Sequence, residues 1–171
     1  MSPTEPIVRI ATPEDLPALH PVIERAYRGD AARAGWTHEA DLIEGPRTDI
    51  ATLAAMLAAP DEHLLVAETA GRPIGCVHVA DRGAGLCYLG LLCVDPGLQA
   101  GGLGKRLVAE AETLAGRLFG ATRMEMTVIE GRIELVHYYG RRGYLPSGER
   151  RDFPIALTPP LFLIVLVKAL A

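Results

Sequence analysis

Leu89–Leu107 reads LGLLCVDPGLQAGGLGKRL, and the rest of the chain makes sense working outward from it. The apolar run Leu89 to Val94 suits a strand buried on both faces. Asp95-Pro96-Gly97 then stops it, because proline lacks an N–H and glycine permits a tight reversal. Next comes the glycine-rich Gln99-Ala100-Gly101-Gly102-Leu103-Gly104-Lys105. Beyond it Leu103, Leu107, Ala111, Leu114 and Leu118 recur at helical spacing, which predicts a long amphipathic helix. Strand, glycine turn and helix start together make an anion site. The first N–H groups of a helix have no internal partner, and the helix dipole adds partial positive charge. Glycines let a phosphate approach the bare backbone, and Lys105 adds a full charge.

Mismatches decide which phosphate. A Walker A loop would need glycine at 99 and a hydroxyl residue at 106, where the chain has Gln99 and Arg106. A dinucleotide fingerprint would need a third glycine where Leu107 stands, after Gly102-Leu103-Gly104. What fits is Gln-x-x-Gly-x-Gly at Gln99 to Gly104, preceded by Leu91-Leu92-Cys93-Val94-Asp95-Pro96. This resembles the acetyl-CoA pyrophosphate loop of the GNAT superfamily of N-acetyltransferases. The competing reading is a glycine-rich turn ahead of an ordinary helix.

Composition sets the bounds. The 171 residues are expected to form one domain spanning 1–171, and 49% hydrophobic content with modest charge indicates a globular chain. A net charge of −4 offers no basic footprint for nucleic acid, so no nucleic-acid partner is expected. Cys76, Cys87 and Cys93 lie in apolar runs without metal-ligand spacing, so they read as buried reduced thiols and no metal is expected. Without a signal peptide, a cytoplasmic location is expected. The apolar tail Leu161 to Val167 is far short of the ~20 residues a membrane span requires, so no membrane partner is expected and the tail reads as a buried last strand.

Taken in order, Ile7 to Ile10 is a short strand and Thr12-Pro13-Glu14-Asp15 a helix start with capping hydroxyl, early proline and acids. Leu16, Leu19, Ile23, Ala26 and Tyr27 mark that helix's buried stripe, which Gly29 ends. Residues 28 to 47 are irregular. There Trp36, Glu39, Asp41 and Arg47, beside Tyr27, suggest contacts to a charged amine, or else a solvated face with Trp36 packed as a lid. Ile50, Leu53, Ala54 and Leu57 predict a second helical stripe closed by Pro60. Strands follow at His63 to Thr69, Pro73 to Ala80 and Leu86 to Val94, and another at Arg123 to Ile129. A helix over Ile133 to Arg142, stopped by Gly143, and two strands from Tyr144 and Pro160 complete the chain. The expected class is α/β: a mixed, mostly antiparallel sheet with flanking helices.

That order is similar to the GNAT fold, in which two strands splay apart. Glu134 to Tyr144, with Tyr138-Tyr139 and then Gly143-Tyr144, resembles the superfamily's fourth-helix pattern. The resemblance implies that acetyl-CoA is the cosubstrate and that its arm lies in the splayed gap. Leu92, Cys93 and Val94 would meet it with backbone groups, residues Gln99, Ala100, Gly101, Gly102, Leu103, Gly104 and Lys105 would hold the diphosphate, and Glu130 would stand at the mouth. The Val94 N–H would stabilise the oxyanion, a donor typically worth about 3 to 4 kcal/mol. Tyr139 would be the general acid, and its alternative is a packed core tyrosine.

An amine acceptor must lose a proton, and Glu125, a lone carboxylate inside an apolar strand, is the sharpest candidate base. Its alternative is an ion pair with Arg123 or Arg132. Asp81, at a strand end, and Glu130, at the mouth of the gap, are weaker choices, and the central strand carries no acid. His20, His38, His63, His78 and His137 are scattered and read as ordinary histidines. The leading expectation is acetyl transfer to a primary amine, on a small molecule or a peptide, by direct attack in a ternary complex. The rivals are an acyl-CoA-binding module without turnover and a different nucleotide-binding protein. A homodimer paired through the apolar final strand is also expected.

Overall fold

The computed structural model describes residues 5–28 and 47–170, the side chains of Gln99 and Ala100 excepted. The strands are β1 (Ile7–Ile10), β2 (Glu62–Thr69), β3 (Arg72–Gly83), β4 (Leu86–Val94), β5 (Arg123–Ile129), β6 (Leu145–Asp152) and β7 (Phe162–Ala169). The helices are α1 (Leu16–Tyr27), α2 (Ile50–Ala58), α3 (Leu103–Phe119) and α4 (Ile133–Gly140). The strands form one seven-stranded sheet in the order β1-β2-β3-β4-β5-β7-β6. Only β4 and β5 pair in parallel; every other neighbouring pair is antiparallel.

Side chains alternate across a strand, so β2, β3 and β4 each feed two cores. On one face Val77, Val79, Leu89, Met124 and Met126 pack with Leu107, Ala111 and Leu114 of α3. On the other, Leu64, Val66, Cys76 and Cys93 pack with Leu19 and Ile23 of α1 and Leu53 of α2. Cys76, Cys87 and Cys93 are buried free thiols.

Local chemistry explains most element ends. The Asp15 carboxylate accepts from the Thr12 N–H at 2.7 Å and from both terminal nitrogens of Arg9, which seats α1 behind a short 3-10 turn at Pro13–Asp15. Asp49 caps α2 by accepting from the Thr52 N–H at 2.7 Å. The predicted apolar stripe of α2 is only partly buried: Leu53 enters the core, Leu57 is half-buried, and Ile50 and Ala54 face solvent. Leu118, the last member of the predicted α3 stripe, is 46% exposed because the stripe's burial passes to Ala115 in the final turn. The helix predicted to run to Arg142 ends at Gly140.

The final strand departs from expectation. β7 lies between β5 and β6 with both of its edges hydrogen-bonded, so it has no edge left to pair across a dimer; β1 and β6 bound the sheet.

β4 is the irregular strand. Opposite Cys76 and His78 stand Cys93 and Gly90, so β4 holds one residue more than β3 over this interval. Leu91 carries φ 51° there. An extra residue of this kind bends a strand and increases its twist. β4 accordingly pairs with β5 only at Leu86–Arg123, Cys87–Met124 and Tyr88–Glu125, and the two strands then part.

Candidate active site

A cavity of about 360 Å³ occupies the place where β4 and β5 separate. Leu89 to Leu92 form one wall and Met126 to Ile129 the other, with Leu135 and Tyr139 of α4 alongside and Phe153 to Ile155 closing it from the β6–β7 connection. Tyr27, Arg28 and Arg47 contribute from the α1 side. At its base the Tyr88 hydroxyl lies 2.9 Å from Thr127 Oγ1, a side-chain link between strands whose backbones no longer pair. The Tyr27 hydroxyl donates to the Leu92 carbonyl at 2.5 Å, tying α1 to the bulged strand.

Strand geometry orients Val94. The Asp95 N–H donates to the Ile74 carbonyl at 2.8 Å, so the alternation of an antiparallel strand turns the Val94 N–H to the opposite edge, the β5 side. Leu92 lines the cavity, whereas Cys93 points into the α1 core with its sulfur 3.6 Å from that of Cys76.

Past β4 a 3-10 turn at Pro96–Gly101 leads into α3. Asp95 holds the turn by accepting from the Gly97 N–H at 3.3 Å and from Arg25 at 2.9 Å. Gly102, at φ 75°, is the N-cap of α3, and no side chain among the described residues caps the helix. A Cβ at Gly101 or Gly102 would stand in open space, while Leu103 and Gly104 are buried and Lys105 is exposed without a partner among the described residues. An uncapped helix start with bare glycine and a neighbouring lysine fits a diphosphate. None of these residues lines the 360 Å³ cavity; they sit beyond its Leu92 end.

Tyr139 is 7% exposed and packs edge-on against Tyr138 at 5.1 Å and Tyr144 at 6.4 Å between ring centroids. Its hydroxyl makes no hydrogen bond to a described residue, and burial pushes its phenol well above the usual value. The Gly143-Tyr144 end of the motif has a packing role: Gly143 takes φ 96°, and Tyr144 donates to Glu112, which also accepts from Lys168 at 2.7 Å. Tyr138 is half-buried under the Arg142 guanidinium, 3.9 Å from its ring centre.

The structure does not bring every candidate to the cleft. Glu125 is 6% exposed, does not line the cavity, and is gripped by Arg151 at 3.1 and 3.3 Å rather than by Arg123 or Arg132. A carboxylate already saturated by a bidentate guanidinium and set apart from the cavity is poorly placed to take a proton there. Glu130 is also outside the cavity, paired with Arg150 at 2.7 Å. Arg47 and Tyr27 do meet in the cleft, with the guanidinium 5.1 Å from the ring centre. The Glu24 carboxylate accepts from the Arg47 and Thr48 backbone N–H groups at 2.9 to 3.0 Å. Trp36 and Glu39 lie outside the described residues, as do the side chains of Gln99 and Ala100.

Tyr88, Thr127 and Arg132 line the cavity without having been expected there; Arg132 had been named only as an alternative partner of Glu125. The signal for Tyr88 and Thr127 was polar residues interrupting apolar strands; Arg132 had none as a site residue. Among the described residues no cluster of three or more His, Cys, Asp or Glu could hold a metal, and no helix is long and apolar enough to cross a membrane.

The profile of the acetyltransferase (GNAT) family matches residues 23–144. No curated protein matches in sequence. Among solved structures, the ribosomal-protein-S18-alanine N-acetyltransferase from Escherichia coli superposes with a TM-score of 0.75 at 15% identity, over 98% of this chain and 95% of that one. Ard1 from Thermoplasma volcanium gives 0.75 at 13% identity, over 97% and 98%. A spermidine N-acetyltransferase chimera from Vibrio cholerae and hSSAT gives 0.72 at 14%, over 97% and 96%. Identities this low speak for the fold.

Proposed function

The chain belongs to the acetyltransferase (GNAT) family, and from that premise we propose that it moves the acetyl group of acetyl-CoA to a primary amine by direct attack in a ternary complex. The observation that carries the reading is the Tyr139 hydroxyl, without a partner among the described residues, in the wall of the β4–β5 cleft. When bound, acetyl-CoA supplies the activated acyl group. Gly101 to Lys105 hold its diphosphate at the start of α3, and Leu92 and Val94 bind its arm through their backbone. The Val94 N–H, turned to the β5 side, donates to the carbonyl oxygen as negative charge gathers on it.

Tyr139 hydrogen-bonds the departing sulfur. An ordinary tyrosine near 10 against a thiol near 8.5 makes full proton transfer uphill by roughly 2 kcal/mol. Burial of Tyr139 widens that gap, so the phenol acts as a retained donor and solvent completes the protonation. A lysine-like amine, near 10.4, needs roughly 4.6 kcal/mol to be neutral at pH 7, and Tyr27 and Arg47 frame the side from which it enters. The names of the solved neighbours include both a protein alanine and spermidine, so the fold leaves the acceptor open between peptide and small molecule. One domain across residues 1–171 and the reducing cytoplasm suited to three free thiols complete the reading.

A non-catalytic acyl-CoA-binding module is the second reading, favoured by one observation: none of the described residues lining the cavity is a carboxylate. Calorimetry with acetyl-CoA, followed by CoA release with a panel of amines, separates the two. Binding with release supports the enzyme, binding without release supports the module, and no binding removes both.

A further inference from the structure

His78 is the buried titratable group for which the cleft chemistry has no use so far. It stands on β3, 7% exposed, opposite Gly90 on the bulged stretch of β4. Its Nε2 lies 2.9 Å from Glu62 Oε1. A carboxylate only accepts, so Nε2 carries the proton and Nδ1 is the basic nitrogen; Nδ1 makes no hydrogen bond to a described residue. His78 lines a second cavity of about 350 Å³ that shares Arg47, Tyr88, Gly90 and Leu91 with the first. The two cavities therefore abut across the bulge. Glu62, on the far side of the imidazole, is 30% exposed and reaches solvent.

We propose that His78, backed by Glu62, is the proton acceptor of the active site: His78 Nδ1 takes the acceptor's ammonium proton through water in the second cavity and returns it to solvent by that water, while Glu62 holds the Nε2–H and supports the imidazolium. The proposal rests on the acetyl-transfer reading. Of the three ammonium protons one leaves by this route, one passes to solvent as C–N forms and one stays on the amide nitrogen, while solvent returns one to the CoA sulfur as C–S breaks. Ammonium and thioester thus give amide, thiol and one released proton. The pair answers a need that the described residues of the cavity walls leave unmet, since Glu125 is taken by Arg151 and β4 offers no acid. A carboxylate behind an imidazole also fixes its tautomer and supports the imidazolium.

The charged and titratable groups facing His78 are Glu62 from β2, Arg82 from its own strand, Arg47 and Asp49 ahead of and capping α2, and Tyr88 from β4. Burial keeps the imidazole below its ordinary value, Glu62 pulls it up and Arg82 pulls it down. It is thus neutral and able to accept at pH 7.

The test uses the full chain, acetyl-CoA, and an amine panel of spermidine, lysine amide and an alanine-initiated peptide. With the best acceptor, His78→Gln is expected to lower kcat about 100-fold at pH 7 while the acetyl-CoA Kd by calorimetry is unchanged. The deficit shrinks toward unity as pH passes the acceptor's own pKa, because that amine is already neutral. Glu62→Gln, which keeps the imidazole in place, moves the acid limb of kcat/KM to lower pH. A deficit equal at every pH, or an unmoved limb in Glu62→Gln, overturns the relay and leaves acetyl transfer standing. A wild type that binds acetyl-CoA yet releases CoA with no amine overturns both.

Discussion

Tyr139 and Asp15 show opposite effects of surroundings on a single proton. The Tyr139 phenol, buried among Tyr138 and Tyr144, is held above its usual value, so it remains a donor across the neutral and alkaline range. The pH profile of kcat should therefore show no tyrosine limb below about pH 10. Tyr139→Phe keeps the packing and loses the donor; CoA release should fall by about 10²-fold with the acetyl-CoA Kd unchanged by calorimetry. Full turnover in that variant would make Tyr139 a packing residue. At Asp15, hydrogen bonds from Arg9 and Thr12 lower the carboxyl to about 2. A carboxyl depressed in the folded state contributes stability above its unfolded value, near 3.9, and loses it as pH falls toward 2. Asp15→Asn should lower Tm at pH 7 and flatten the acid limb of a Tm-against-pH curve between about pH 4 and 2.

At the scale of elements, the β4–turn–α3 unit was the most legible part of the chain because its signals are local. An apolar run, a proline stop and a glycine cluster each act within a few residues. Gly102 at φ 75° with open space at its Cβ is where that reading becomes testable. Gly102→Ala should cost roughly 1 kcal/mol in stability from the left-handed backbone and about tenfold in the Kd for coenzyme A. The Kd for pantetheine, which lacks the diphosphate, should not change between wild type and variant. The bulge at Leu91 was invisible, since one leucine among leucines carries no mark of a positive φ. So was the partner of Glu125: Arg151 stands on β6 and reaches Glu125 on β5 across the intervening β7. Sequence patterns report burial period and turn chemistry, whereas such pairings depend on the order in which strands assemble.

Across the whole molecule, the parting of β4 and β5 leaves a cleft in the middle of the sheet that a ligand would fill. A ligand held only by the folded state stabilises it by about 2.7 kcal/mol at a hundredfold excess over Kd. At roughly 2–4 °C per kcal/mol for a chain of this size, saturating acetyl-CoA should raise Tm by about 5–10 °C. A thermal melt in which ATP or NAD matches that rise would instead favour a different nucleotide ligand. The same view of the molecule gives the Glu24 carboxylate and the Tyr27 hydroxyl a joint consequence. One fastens the backbone at Arg47 and Thr48, the other fastens the end of α1 to Leu92, so the chain is riveted on both sides of residues 29–46. A sequence change made between those two anchors therefore leaves both clamps intact, and with them the seating of α1 against the wall of the cleft.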